Sequence, residues 1–156
     1  NKEIQNQEVQ EMALNIDIAP TIIELAGLEA PSSYQGMSLL PLINQSTDTI
    51  WRDEFFFEHM YQPKRTFIPP TVGLRTEKWK YIDFYKNEFQ QLYDLANDPQ
   101  EKFNLIDSIH HQDIVNALSQ KVDQYIAAYE NQRSTEVKQR ENFINIRHQA
   151  EPQYGK

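Results

Sequence analysis

Three side chains in the middle of this 156-residue sequence have the chemistry to hold an anionic group: His59, Arg65 and Arg75. His59 closes the aromatic run "EFFFEH" and is followed by "MYQPKRTFIPP". A strand end beside a Pro-rich loop is a natural place for binding residues, and an imidazole or guanidinium there can donate hydrogen bonds to charged oxygens. Residues 64 to 80 concentrate the positive charge, with Lys64, Arg65, Arg75, Lys78 and Lys80 against the single acid Glu77, on a chain of net charge −8. Two readings stand. The segment is a local site for an anionic ligand, or its Lys and Arg decorate exposed strands and keep their edges from pairing. His59 is likewise either a ligand contact or a hydrogen-bonded structural histidine. Glu58 falls on the opposite face of a regular strand, so at most one of Glu58 and His59 meets a ligand.

A second constellation is Asp94, Asn97, Asp98 and Glu101 within "QLYDLANDPQEKFNL". Oxygen donors at short spacing suggest a calcium loop, but the spacing is not that of an EF-hand and no glycine sits in the middle. The other reading is a strand exit. Asn97-Asp98-Pro99 stops strand pairing and reverses the chain, Glu101 is expected to accept from nearby free N–H groups, and Leu105 re-enters the core.

Composition narrows the classes. The absence of cysteine excludes disulfides, Cys-based zinc sites and a Cys nucleophile. Apolar residues make up 39% of the chain, enough for a folded core. Aromatic residues interleaved with basic ones suggest single-stranded nucleic acid, but the net negative charge argues against it. No apolar run approaches the length that crosses a bilayer, Phe55-Phe56-Phe57 being typical. Residues 1–14 are polar and acidic, without the basic start and apolar stretch of a signal peptide. A signal for export is therefore expected outside this sequence.

The elements that must position these residues are legible. Asp17 is placed as the N-cap of a short helix over 17–27, Pro20 fits its first turn, and Gly27 can end it in the left-handed conformation. Ile18, Ile22 and Leu25 repeat at helical spacing, making the helix apolar enough to be buried on most sides. Leu39, Leu40, Leu42 and Ile43 are expected to pin the following loop to a core. "EFFFEHMY", "TVGLRT", "KYIDFY" and "QLYDL" read as four strands joined by tight links, an antiparallel sheet. Asp107 or Ser108 is expected to cap a closing helix of about five turns, whose stripe is Ile114, Leu118, Val122, Tyr125 and Tyr129, widened by Val115 and Ile126. Trp79 and Tyr81 are expected to pack under it. Residues 132–156 read as a polar tail, where Phe143, Ile144 and Ile146 are candidates for docking. The fold class is α+β: a capped helix, a four-stranded antiparallel sheet and a long C-terminal helix laid on it.

In order, "NIDIAPTIIELAGLEAP", "YQGMSLLPLI", "WRDEFFFEHM", "VGLRTEKWKYI" and "QLYDLANDPQEKFNL" resemble the C-terminal part of the type I, formylglycine-dependent sulfatases of the alkaline-phosphatase-like superfamily. The resemblance covers roughly residues 14–130 and is strongest to bacterial glycan sulfatases and heparan N-sulfatase-like proteins. It implies that residues 1–50 end the large sulfatase domain, with the helix over 17–27 belonging against that missing α/β domain, and that 51–131 form the C-terminal subdomain. In such enzymes a Cys or Ser in Cys/Ser-x-Pro-x-Arg is oxidised to formylglycine. Its hydrated aldehyde attacks sulfur, while a calcium ion polarises the sulfate.

This chain has no Cys, no Ser-x-Pro-x-Arg and no Asp-Asp pair. The resemblance therefore implies a portion without catalytic nucleophile, metal ligand or cofactor of its own. Calcium and formylglycine are expected in the parent enzyme. The implied partners are the N-terminal sulfatase catalytic domain and a sulfated carbohydrate, with no nucleic acid and no membrane. The implied location is periplasmic or extracellular. His59, Arg65 and Arg75 become candidates for the substrate-pocket rim, where they would meet a sulfate or sugar hydroxyl. For Arg75 the alternative is holding the sheet against the large domain. A stand-alone glycan-binding or interaction module that reuses the same tail fold is the other reading of the whole chain.

Overall fold

A computed structural model describes residues 8–45, 49–59 and 69–130. The chain divides into two compact units, residues 1–53 and 54–156.

The first unit is organised around one carboxylate. A single 3₁₀ turn, Asn15–Asp17, runs directly into helix α1, Ile18–Leu25. Pro20 lies in the first turn of α1, and Gly27 follows the helix at φ 74°. Asp17 was expected to cap α1 with its side chain, and it does not. Because the 3₁₀ turn precedes it, Asp17 is itself helical (φ −79°, ψ −17°) rather than extended, and its carboxylate makes no cap bond. The carboxylate turns back into the unit, wholly buried. There it accepts from the Leu14 N–H at 2.7 Å and the Met37 N–H at 2.8 Å. It also accepts two bonds from the Arg52 guanidinium, at 2.5 and 2.7 Å.

Arg52 also donates to the Met12 carbonyl, as does the indole N–H of Trp51. Thr21 donates to the Asp17 carbonyl and accepts from the Leu39 N–H. Gly36 makes the Met37 contact possible, since a Cβ there would lie 2.0 Å from the Ile16 carbonyl oxygen. Leu39 precedes a one-turn helix α2, Leu40–Ile43, whose residues are half-buried. The inward side of α1 is thus Pro20 and Thr21, while Ile18, Ile22 and Leu25 are each more than half exposed. The expected all-round burial of α1 is not met in this chain, because the unit's interior is a polar hub rather than an apolar core.

The second unit is the expected α+β arrangement. Strands β1 (Glu54–His59), β2 (Thr71–Thr76), β3 (Trp79–Phe84) and β4 (Phe89–Asp94) form one antiparallel meander in the order β1-β2-β3-β4. Helix α3, Gln112–Glu130, covers one face. The row Phe56–Leu74–Tyr81–Leu92 runs straight across all four strands. It packs under Val115, Leu118, Val122 and Ile126, with Trp79 and Tyr125 at the margin. These four helix residues are buried, while Ile114, Tyr125 and Tyr129 sit at the border of the stripe.

Phe56 stacks on Tyr125 with ring centroids 5.6 Å apart. Glu54 binds Lys121 and Tyr125 of α3, fixing the helix to the outermost strand. The start of α3 also differs from expectation. A 3₁₀ turn, Ile109–His111, precedes it, with Ser108 at its N-cap position making no side-chain cap bond. The Ser108 hydroxyl instead meets His111 Nδ1 at 2.8 Å, and the Gln112 amide reaches back to the Ile106 and Ser108 carbonyls.

Burial pushes the Asp17 carboxyl upward, but the Arg52 hydrogen bonds, the Leu14 and Met37 N–H groups and the Arg52 charge together hold it below its usual 3.8. Its contribution to stability is therefore complete above that value and is lost as pH falls through the lowered folded value. Removing one partner of a buried pair costs about 3–5 kcal/mol. Asp17→Ala is expected to speed hydrogen exchange at the Met37 amide by about 100-fold or more, and Arg52→Ala added to it is expected to cost little extra. Acid unfolding of the first unit is expected below pH 3.8. Unchanged Met37 protection in Asp17→Ala would contradict the hub.

Candidate functional site

The side of the sheet away from α3 carries the residues with binding chemistry. Alternation along each strand places Phe55, Phe57 and His59 of β1, Arg75 of β2, Lys80 and Ile82 of β3, and Tyr93 of β4 on that side, since Phe56, Leu74, Tyr81 and Leu92 face the helix. His59 is the last residue of β1, opposite Thr71, and is half-buried. Arg75 lies opposite Phe55 on one side and Lys80 on the other.

His59 and Arg75 thus share one face but stand at opposite ends of the β1–β2 pair. They are four residues apart in register, or roughly 13 Å. Glu58 falls on the other face, opposite Val72, as strand alternation requires. Arg65, together with Lys64 and Met60 and Tyr61 of the expected strand end, lies outside the described residues.

The centre of this face is a close backbone contact. The Phe57 ring lies over Gly73, where a Cβ would sit 2.3 Å from a ring carbon and 2.5 Å from the Tyr81 carbonyl oxygen. Phe55 packs against Phe57 with centroids 6.2 Å apart. A glycine inside a strand often marks such a close approach. Here it seats the strand that ends in His59.

Next to Arg75, the Lys80 ammonium binds Glu101 at 2.6 Å. This corrects the expectation that Glu101 serves free N–H groups: its carboxylate goes to a cation on the sheet, from a backbone at φ 54°. Tyr93, beside Lys80 in the same row, is buried, and burial followed by the Glu101 and Asp98 charges raises its phenol above the usual value.

The possible calcium loop is used up by the chain's own bonds. Asp94 accepts from the Ala96 and Asn97 N–H groups and from the Asn97 amide. Burial works upward on Asp94, but Asn97, Lys78 and the Ala96 N–H hold its carboxyl below the ordinary value. Asp98 accepts from the Phe103 N–H. Among the described residues, no group of three or more His, Asp or Glu comes together in a way that could hold a metal. The resemblance assigns calcium and formylglycine to the parent enzyme and none to this chain, which has no cysteine, and no step of a reaction runs through such a group here. No helix among the described residues is long and apolar enough to cross a membrane.

Two functional placements were not legible in the sequence. Arg52 lies in "WRDEFFFEHM" with nothing to mark its pairing with Asp17, thirty-five residues earlier. Asn104, next to last in the "QLYDLANDPQEKFNL" block, is a strand cover. Its side chain accepts from the Leu92 N–H at 2.9 Å and donates to the Gln90 carbonyl at 3.1 Å.

Comparison with known proteins adds the family context. The family model described as N-sulphoglucosamine sulphohydrolase, C-terminal, matches residues 1–128. An N-acetylglucosamine-6-O-sulfatase of Bacteroides thetaiotaomicron is 33% identical over 97 residues, covering 60% of this chain and 17% of that protein. Arylsulfatase K of Bos taurus is 28% identical over 148 residues, covering 89% of this chain and 26% of its own length. A solved structure in complex with its substrate D-glucosamine-2-N,6-O-disulfate superposes with a TM-score of 0.63 at 29% identity, over 74% of this chain and 24% of that one. The chain spans less than a third of the length of these relatives.

Gly73→Ala is expected to destabilise the chain by about 1–3 kcal/mol, the usual cost of overpacking a filled site, read as a lower urea midpoint. An unchanged midpoint would contradict the seating of Phe57 on Gly73.

Proposed function

The chain belongs to the family of N-sulphoglucosamine sulphohydrolase C-terminal regions, and from that premise we propose that it is the C-terminal part of a sulfatase that hydrolyses sulfate esters or N-sulfates of carbohydrates. The single observation that carries this reading is the family match over residues 1–128. Relatives and a neighbour whose names and substrate are sulfated sugars support it. The chain contributes structural support and part of the pocket rim. The nucleophile, the calcium ion and the formylglycine belong to a catalytic domain outside these 156 residues, because the chain has no cysteine and no Ser-x-Pro-x-Arg, and its described residues hold no metal-binding group.

That catalytic domain is also the proposed partner of the exposed α1 ridge. Ile18, Ile22 and Leu25, with Ile16 and Leu28 beside them, are between 47% and 66% exposed. A contiguous apolar surface of this kind marks a protein contact. The substrate-binding role proposed for His59 rests on its half-buried place at the end of β1, a few residues before Arg65 in the sequence. Arg75 and His59, being far apart along the strands, would serve separate points of an extended sulfated ligand rather than one sulfate. The enzyme's place of action is proposed to be periplasmic or extracellular, where sulfated glycans are met.

His59→Ala in the complete enzyme is expected to lower kcat/KM for a sulfated glucosamine between about 10- and 100-fold, the loss of one hydrogen bond to a charged group, with the fold intact. An unchanged kcat/KM with His59→Ala removes His59 from the pocket rim. The 156-residue chain alone is expected to turn over no aryl sulfate, and turnover by the pure chain would overturn the proposal that the nucleophile lies elsewhere.

A further inference from the structure

Four main-chain groups on the outer edge of β4 are covered by the chain's own next segment. The outward-facing main-chain groups of an edge strand recur at every second residue, which on β4 means Gln90, Leu92 and Asp94. The Gln90 carbonyl accepts from the Asn104 amide at 3.1 Å. The Leu92 N–H donates to the Asn104 side-chain oxygen at 2.9 Å, and the Leu92 carbonyl accepts from the Leu105 N–H at 2.8 Å. The Asp94 carbonyl accepts from the Asp98 N–H at 2.7 Å. Asn104 therefore presents a side-chain amide where a fifth strand would present a peptide group, and does so to two different residues of β4.

The strap that carries Asn104 is held in place on both sides. Phe103 N–H binds Asp98, Glu101 binds Lys80, and Asn104 Oδ1 also receives the Ile106 N–H. We propose that β4 is a latent strand-pairing surface for a second copy of this chain, and that Asn104, with Leu105, keeps it shut.

The chemistry of β4 favours a copy of itself as the occupant. "FQQLYD" is aromatic and amide-rich, with a single charge at Asp94, a composition suited to strand addition. Turned antiparallel about Leu92, two such strands would set Gln90 of one opposite Asp94 of the other, an amide beside a carboxylate rather than two like charges. The sheet core does not depend on the Asn104 bonds: Leu92 is buried under α3 through its side chain, and Leu105 and Ile106 of the strap pack on the same core through theirs. Opening the edge is therefore expected to leave the fold standing and change only its association.

The test uses the 156-residue chain with Asn104→Ala, and with Asn104→Asp, which keeps the acceptor for the Leu92 N–H but sets a carboxylate oxygen against the Gln90 carbonyl in place of the amide donor. Sedimentation velocity over a concentration series is expected to show more dimer for both variants than for the native chain, whose exposed α1 ridge sets the baseline of association. The chain has no native cysteine, so Gln91→Cys gives a single point for a short bismaleimide. Cross-linked dimers are expected in the Asn104→Ala background and not with Asn104 present. The proposal is overturned if the variants keep the helical circular dichroism of the native chain yet associate no more than it does and stay uncross-linked. Loss of that helical signal in both variants overturns it as well, because Asn104 would then be part of the core's foundation and not a cover.

Discussion

A polar group taken out of water must find a partner inside the protein, or it costs several kcal/mol. That constraint decides most of what this chain does with its unusual residues. In the first unit the group is the Asp17 carboxylate, fully withdrawn from solvent. It is satisfied by two backbone N–H groups and a bidentate guanidinium, the strongest of the common charge-assisted arrangements. The local structure follows from the need to bring those donors together. The 3₁₀ turn aims the carboxylate inward, Gly36 lets residue 37 approach, and Thr21 ties α1 to the segment leading into α2. A small unit with little apolar interior is thereby ordered by a hub of polar contacts, and the apolar side of α1 is left facing outward.

In the second unit the same constraint acts on main-chain groups. A four-stranded meander buries its middle strands without difficulty, but its last strand presents carbonyls and N–H groups along an edge. The chain answers with the segment after the Asn-Asp-Pro turn, which lays the Asn104 side-chain amide and the Leu105 N–H against β4 before α3 begins. The acids of that segment are occupied in holding this geometry, Asp94 on the turn, Asp98 on Phe103 and Glu101 on Lys80. Oxygen-rich as it is, the loop acts as a strand terminator, its acids engaged with the chain's own groups.

The reach of sequence reasoning in this chain follows the range of the interaction. Period-two and helical patterns are local, so β1 to β4, α1 and α3 could be read directly, as could the buried helix positions Leu118 and Val122. Gly27 and Pro20 announce helix ends by their backbone limits alone. Side-chain partners are another matter. Asp17 looked like a cap because the residue type fits one, but whether a carboxylate turns forward or back depends on Arg52, far along the chain. Glu101 and Ser108 misled in the same way. Asn104 carried no local signal at all, since its partners belong to a strand twelve and fourteen residues earlier. Of the candidate site, the shared face of His59 and Arg75 was implicit in strand alternation, but their separation required the β1–β2 register.

The proposed role of these residues is to close a larger sulfatase, supplying support and pocket rim to a catalytic domain. The most direct measurement is the size of the native polypeptide in its source cells, by immunoblot with an antibody raised against this chain. A band much larger than 18.5 kDa is the predicted result. A band at 18.5 kDa would mean that the chain lives alone, and it would contradict that role.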